Sequence, residues 1–227
     1  APIPLPRVNI GVEQADSPED VAVTLQILAL LTVLTLAPAI IVMMTCFTRL
    51  IVVFHFLRQA MGTQQVPPGQ VVVGLTLFLT LFIMYPVIDE INDNALQPYL
   101  NEEISQAEAI DEAELPIKRF MLRQTREEDL ALFISLSKID RPQEALDTPL
   151  HVLIPAFVVN ELRIAFQIGF ILYLPFLIID MVVASVLLAM GMMMLPPIMI
   201  SLPFKIILFV LADGWNLVVG SLVASFR

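Results

Sequence analysis

The sequence predicts an all-α integral membrane protein, built from helical hairpins with an acidic insert of short helices between them. Composition is the first reason. Of 227 residues, 58% are hydrophobic and only 15% charged, with a mean hydropathy of +0.84. Soluble domains carry about 25% charged residues, so lipid or partner subunits must cover much of this surface. The second reason is the recurrence of charge-free runs of roughly 18 residues or more, long enough to cross a hydrocarbon core. The third is segregation of charge. Residues 89–147 hold 15 acidic and 6 basic side chains, a net of -9 within a total of -10. The length allows about four spans and one modest polar region. An acidic polar region argues against a nucleic-acid partner, which needs a basic stripe.

Taken in order, residues 1–20 form an N-terminal extended segment, rich in proline and acid. The start at Ala1, with no basic or short apolar leader, is expected of a chain whose signal peptide has been removed. A trimmed start would look the same; if a signal was removed, the N-terminus is expected to face the periplasm or exterior. Ser17-Pro18-Glu19-Asp20 reads as a helix start, with Ser17 as cap and acids near the positive end of the dipole.

Residues 21–88 read as a first helical hairpin. Val21 to Thr48 is uncharged, with a kink expected at Pro38. Thr45 to Gln65 carries Arg49, His55 and Arg58 and no acid. Gly62 to Gly69 (GTQQVPPG) is a turn by composition, and Val71 to Ile88 is again uncharged. The basic tip is expected in the cytoplasm and residues 89–150 on the periplasmic side. In that insert, Leu130 to Lys138 is amphipathic at helical spacing. Arg119, Arg123 and Arg126 are spaced to share one helix face. About 60 residues make only a small domain, so the insert is expected to lean on partners. Residues 151–227 read as a second hairpin, one arm of which is interrupted by GMMMLPP (Gly191 to Pro197).

Chemistry-bearing constellations are sparse. His55 and His151 lie far apart, Cys46 is a lone cysteine, and no phosphate loop, nucleophile elbow or metal-spaced cluster occurs in the sequence. No enzyme activity, metal or cofactor is expected. Ionisable residues among the apolar runs are more informative: Arg49, Arg58, Glu161, Arg163, Asp180, Lys205 and Asp213. A charge at mid-bilayer costs at least about 2.5 kcal/mol, so each needs a partner or water. Glu161 and Arg163, two apart, cannot face each other on a helix. Asp180 and Lys205 lie 13 and 12 residues either side of Met193, at matching depth in a hairpin, where they would pair. An ion relay or interface snorkelling are the other readings of these charges. Met192, Met193 and Met194 cannot all face one way on a helix. They are expected to line a loop, and copies in a ring would form a deformable apolar plug, with ordinary core filler as the alternative.

Met43 to Met84 (MTCFTRLIVVFHFLRQAMGTQQVPPGQVVVGLTLFLTLFIM) and Glu161 to Trp215 (ELRIAFQIGFILYLPFLIIDMVVASVLLAMGMMMLPPIMISLPFKIILFVLADGW) resemble the two halves of the FliP family of flagellar type III export-gate membrane proteins. The family is related to the injectisome SctR proteins, but GTQQ and GMMMLPP are closer to the flagellar form. The resemblance implies a homo-oligomer of about five copies, assembled with the membrane subunits FliQ and FliR in the bacterial inner membrane and flagellar basal body. The assembly would pass unfolded flagellar proteins. It also implies that Met192, Met193 and Met194 form a gasket at the pore. Arg126 or Arg123 is expected to pair with Glu161, within one copy or between subunits, because a basic face on the insert precedes an acid on an apolar helix. The alternatives are a small-ion or proton channel using Asp180, Lys205 and Asp213, and a purely structural scaffold of a secretion base.

Overall fold

The computed structural model describes residues 18–63, 66–139, 142–192 and 194–226, and every regular element among them is helical. Ser17, the expected helix cap, and the extended segment before it lie outside the described residues. The chain divides into two compact units, residues 1–40 and 41–227. In the first, the described element is α1 (Pro18–Met43), which carries Pro38 inside it and ends within the second unit. The Thr32 and Thr35 hydroxyls donate to the carbonyls of Leu28 and Leu31, each at 2.8 Å. Those bonds satisfy two hydroxyls within an apolar stretch of helix.

The second unit contains α2 (Phe47–Met61), α3 (Gly69–Ile91), a π turn (Asn92–Leu96), α4 (Gln97–Leu100), α5 (Gln106–Gln124), α6 (Glu127–Ser137), a 3-10 turn (Ala145–Asp147), α7 (Leu150–Ala189), α8 (Pro197–Leu211) and α9 (Gly214–Ala224). The spine is α7, 40 residues long and therefore about 60 Å at 1.5 Å per residue. That is twice a hydrocarbon core of about 30 Å, so only part of α7 can lie in lipid.

The most extensive packing is α2 against α7. The buried residues of α2 recur three and four apart: Arg49, Leu50, Val53, Phe54, Leu57, Ala60 and Met61. Those of α7 recur every four residues through Leu153, Phe157, Glu161, Ala165 and Gly169. Such a row is a ridge that seats in the groove of the facing helix. Small residues on it let the helices approach closely. At Gly169 a Cβ would stand 2.5 Å from the Phe56 ring, which makes the crossing point specific for glycine.

Among the described residues, two helical paths are long and apolar enough to cross a membrane: Gly69–Leu100 and Leu150–Ala189. The pair α8 and α9, bent by 63°, would make a third. The last expected arm is not straight, because Ile206–Phe226 breaks at Ala212 and Asp213. The GMMMLPP segment is the corner between α7 and α8, not an interruption of one arm.

The insert also departs from expectation. The helix begun at Gly69 runs through the acidic boundary at Asp89 to Leu100, accommodating one π turn. Charge changes what surrounds a helix, not whether it forms. The insert leans on its own chain: α5 and α6 pack along α7, and α5 also touches α3. Helix α5 starts with a capping box. The Glu108 N–H donates to Ser105 Oγ at 3.3 Å, and the Ser105 N–H donates to the Glu108 carboxylate at 2.8 Å. The bond from the Ser105 backbone N–H, and then that serine's side chain, holds the Glu108 carboxyl below its ordinary value. Since α5 ends at Gln124 and Arg126 is the N-cap of α6, Arg119, Arg123 and Arg126 do not share one helix face.

Replacing Gly169 with Ala should destabilise the detergent-solubilised chain by about 1–3 kcal/mol through overpacking against Phe56. Adding Phe56→Leu should recover part of the loss. Thermal unfolding of the two variants checks this, and equal melting of Gly169→Ala and the parent would refute the tight crossing.

Candidate functional site

Three features dominate the second unit: a buried and a half-buried ion pair on α7, and the turn at its C-terminal end. The first pair joins Arg49 on α2 to Glu161 on α7, with side chains 1% and 0% exposed. Arg49 Nε donates to Glu161 Oε2 at 2.9 Å, and Nη2 donates to Glu161 Oε1. Nη2 also reaches Gln124 Oε1 at 3.0 Å, at the end of α5. Nη1 donates to the Ser225 carbonyl at 3.2 Å and to Ser225 Oγ at 3.1 Å, just beyond α9. The guanidinium lies 3.8 Å from the centroid of the Phe226 ring. Every N–H of the fork is used, so the charge is tolerated at only 1% exposure. Around it, Asn160 Nδ2 donates to the Gln124 carbonyl and Gln124 Nε2 donates to the Phe226 carbonyl at 3.4 Å. One guanidinium thus ties α2, α5, α7 and the end of α9 together.

The expected partner of Glu161 is therefore corrected. Arg126 turns to the first turn of its own helix α6, with Nε 3.1 Å from Asp129 Oδ2 and Nη1 3.1 Å from Glu128 Oε2. Arg123 is exposed. Neither meets Glu161. Arg163 lies 4.0 Å from the same Asp129. The missed signal was Arg49 itself, a cation within the apolar three-and-four stripe of α2. An unpaired charge on one buried stripe calls for an opposite charge on the stripe it faces.

The second pair joins α7 to α8. Lys205 Nζ is 2.6 Å from Asp180 Oδ2, with side chains 4% and 23% exposed. The Ser201 hydroxyl donates to Asp180 Oδ1 at 2.5 Å. Lys205 Nζ also donates to the Ala60 carbonyl at 3.0 Å. That carbonyl belongs to the last turn of α2, where backbone acceptors lack helical partners and a cation also meets the negative end of the dipole. Both ends of α2 are thus held by charge: Arg49 near the first turn and Lys205 at the last.

The turn follows at once. Gly191 takes a left-handed φ of 75°, which glycine adopts without strain. Its N–H donates to the Leu188 carbonyl at 3.0 Å and the Met192 N–H to the Leu187 carbonyl at 2.9 Å. That pair of bonds is a Schellman stop. Pro196 caps α8 and Pro197 opens it, a position where the missing N–H costs nothing. Met194 is 98% exposed and Met192 is also exposed. Met193 lies outside the described residues. The turn therefore presents bare thioethers from a corner braced by the Asp180–Lys205 pair.

Among the described residues no group of three His, Cys, Asp or Glu side chains is placed to hold a metal. His55 and His151 are exposed, and Cys46 is buried.

The profile of the FliP family matches residues 30–222. The chain belongs to the FliP family. The flagellar biosynthetic protein FliP of Bacillus subtilis is 56% identical over 217 residues, covering 96% of this chain and 98% of that protein. The FliP of Aquifex aeolicus is 56% identical over 206 residues, covering 90% and 86% respectively. The FliP of Treponema pallidum is 48% identical over 224 residues, covering 98% and 83%. The FliP match spans both ion pairs and the methionine turn, so all three features lie within the part of the chain that defines the family.

Two tests address the pairs. Arg49→Met or Glu161→Gln alone should cost about 3–5 kcal/mol, because each leaves a desolvated partner. The combined Arg49→Met and Glu161→Leu chain should regain much of that. Denaturant melts in detergent decide it, and single losses under about 1 kcal/mol would contradict the node. For the second pair, Asp180→Lys should lower the yield of folded chain, and adding Lys205→Asp should restore part of it. Size-exclusion yield is the readout, and an unaffected single variant would contradict the pairing.

Proposed function

We propose that this FliP-family chain is a subunit of the flagellar type III protein-export gate. About five copies assemble with FliQ and FliR in the bacterial inner membrane, within the flagellar basal body, and part of the assembly faces the periplasm. Unfolded flagellar proteins pass through the opening the copies share. The chain supplies the conduit and no catalysis, and the energy for export comes from other components.

The observation that carries this reading is the exposed methionine turn. A thioether that is 98% exposed at the tip of a braced helical corner has no packing role within one copy. Met is unbranched and polarizable and re-packs around different shapes. Several such corners brought together would make Met192, Met193 and Met194 a soft apolar ring. An apolar constriction stops water and ions by dewetting, and flexible side chains part for an extended polypeptide without reading its sequence. The ion-relay reading is weaker, because Lys205 is enclosed and its ammonium is held by the Ala60 carbonyl and Asp180 Oδ2.

Replacing Met192, Met193 and Met194 together with Ala should leave assembly unchanged and raise ion conductance. Planar-bilayer recording of the purified complex measures this. Conductance equal to that of the parent complex, with assembly intact, would refute the gasket.

A further inference from the structure

The α7–α8 corner that carries the methionine turn has little packing of its own. Of the described residues among 181–200, only Leu187 is buried. A groove of about 470 Å³ opens between the two arms, walled by Ile178, Val182 and Val186 of α7 and by Ile200 and Phe204 of α8. Few buried apolar contacts mark an element that shifts at low cost in free energy.

Each arm also contains a proline, Pro175 in α7 and Pro203 in α8. Each lacks the N–H that would bond the carbonyl four residues earlier, at Ile171 and Met199, so each arm is weakest there. The base below is fixed by rings. Phe176, beside Pro175, meets Phe209 at 6.3 Å between centroids, and Phe209 meets Trp215 edge-on at 5.5 Å. Trp215 in turn lies 6.4 Å from Phe54 of α2.

The second ion pair lies between the two weak points. Asp180 follows Pro175 and belongs to the free arm. Lys205 follows Pro203 and belongs to the fixed side, where Nζ also donates to the Ala60 carbonyl of α2 at 3.0 Å. The contact of 2.6 Å between them therefore ties arm to body. Ser201, whose hydroxyl donates to Asp180 Oδ1 at 2.5 Å, precedes Pro203 and moves with the arm.

We propose that the methionine corner is a hinged arm that bends at Pro175 and Pro203, and that the Asp180–Lys205 bridge is the latch holding it shut. The two charges are positioning residues for the gate. Parting them leaves Asp180 its bond from Ser201 and Lys205 its bond to Ala60, and an opened passage supplies water to both. From Pro175 to Gly191 the arm is about 24 Å long, so a bend of about 10° carries the turn about 4 Å. The proposal rests on the export-gate reading and supplies its opening step.

The experiment uses the complete membrane complex with a spin label at Leu188→Cys, an exposed position on the arm. The native Cys46 is buried, which keeps the labelling selective. Electron–electron distances between copies are read with and without an export substrate stalled by a folded tail. In the parent complex the stalled substrate should widen them by several ångströms. Asp180→Asn, which keeps the Ser201 bond and removes the charge, should widen them without substrate and raise resting conductance roughly tenfold. Pro175→Ala with Pro203→Ala restores both helix bonds and should slow export roughly tenfold. Added to Asp180→Asn, the two changes should suppress its leak. Melting temperatures in detergent verify that each variant is folded. Unchanged distances in a parent complex whose substrate cross-links to the methionine turn would overturn the hinge and leave the export reading intact. Normal export by the double alanine variant would also overturn it. A substrate that never cross-links to the turn would sink the export reading, and the Asp180→Asn distances then decide the hinge by themselves.

Discussion

A guanidinium buried at 1% exposure against a carboxylate buried at 0% leaves very little freedom to the chain around it. Arg49 must have all its N–H groups met, since each unmet donor in a dry interior costs a desolvation penalty. Glu161 satisfies two, and the others are met by Gln124 and by the Ser225 carbonyl and hydroxyl. These acceptors lie on α5, α7 and the segment after α9, so those elements must converge on one point of α2. The insert cannot swing away without stranding a charge. A polar network of this kind supplies specificity of arrangement more than net stability.

With that point fixed, the remaining architecture follows along α7. The close crossing at Gly169 and Phe56 sets how α2 lies on the spine. Farther along, Asp180 gathers Ser201 and Lys205, and Lys205 closes the last turn of α2 through the Ala60 carbonyl. The chain reverses eleven residues after Asp180, at Gly191, through a left-handed residue and two prolines. Asp180, Ser201 and Lys205 brace the corner, and the corner offers methionine outward. Rigidity beneath and softness at the tip would suit the proposed export opening, which must close on itself and still admit chains of varied sequence.

Much of this was legible in the sequence where it depends on local rules. Gly191 and Pro196-Pro197 mark a helix stop and start by their backbone limits alone, and nearly equal distances from Met193 brought Asp180 and Lys205 to one depth. Other features were not legible. The partner of Glu161 was sought on the insert because three arginines have helical spacing there, but α5 ends at Gln124 and the run is broken between two helices. The cation that does pair was visible as a charge on the apolar stripe of α2. Which stripe faces which is not a property of either segment. The continuation of α3 through Asp89 to Leu100 was missed for a different reason: a change in charge was read as a change in structure.

Composition and hydropathy by themselves determined that this is an all-α membrane protein, because backbone groups in lipid must be satisfied within a helix or a closed barrel and no strand pattern competes. Glycine and proline positions likewise marked a break at Gly191 to Pro197, though not that it is the corner between α7 and α8. Only the tertiary structure decided which charges pair across segments 112 residues apart, where α2 crosses α7, and that the insert rests on its own long helices. Those outcomes depend on the relative placement of stripes from distant parts of the chain, and sequence periodicity records each stripe's direction but not what it faces.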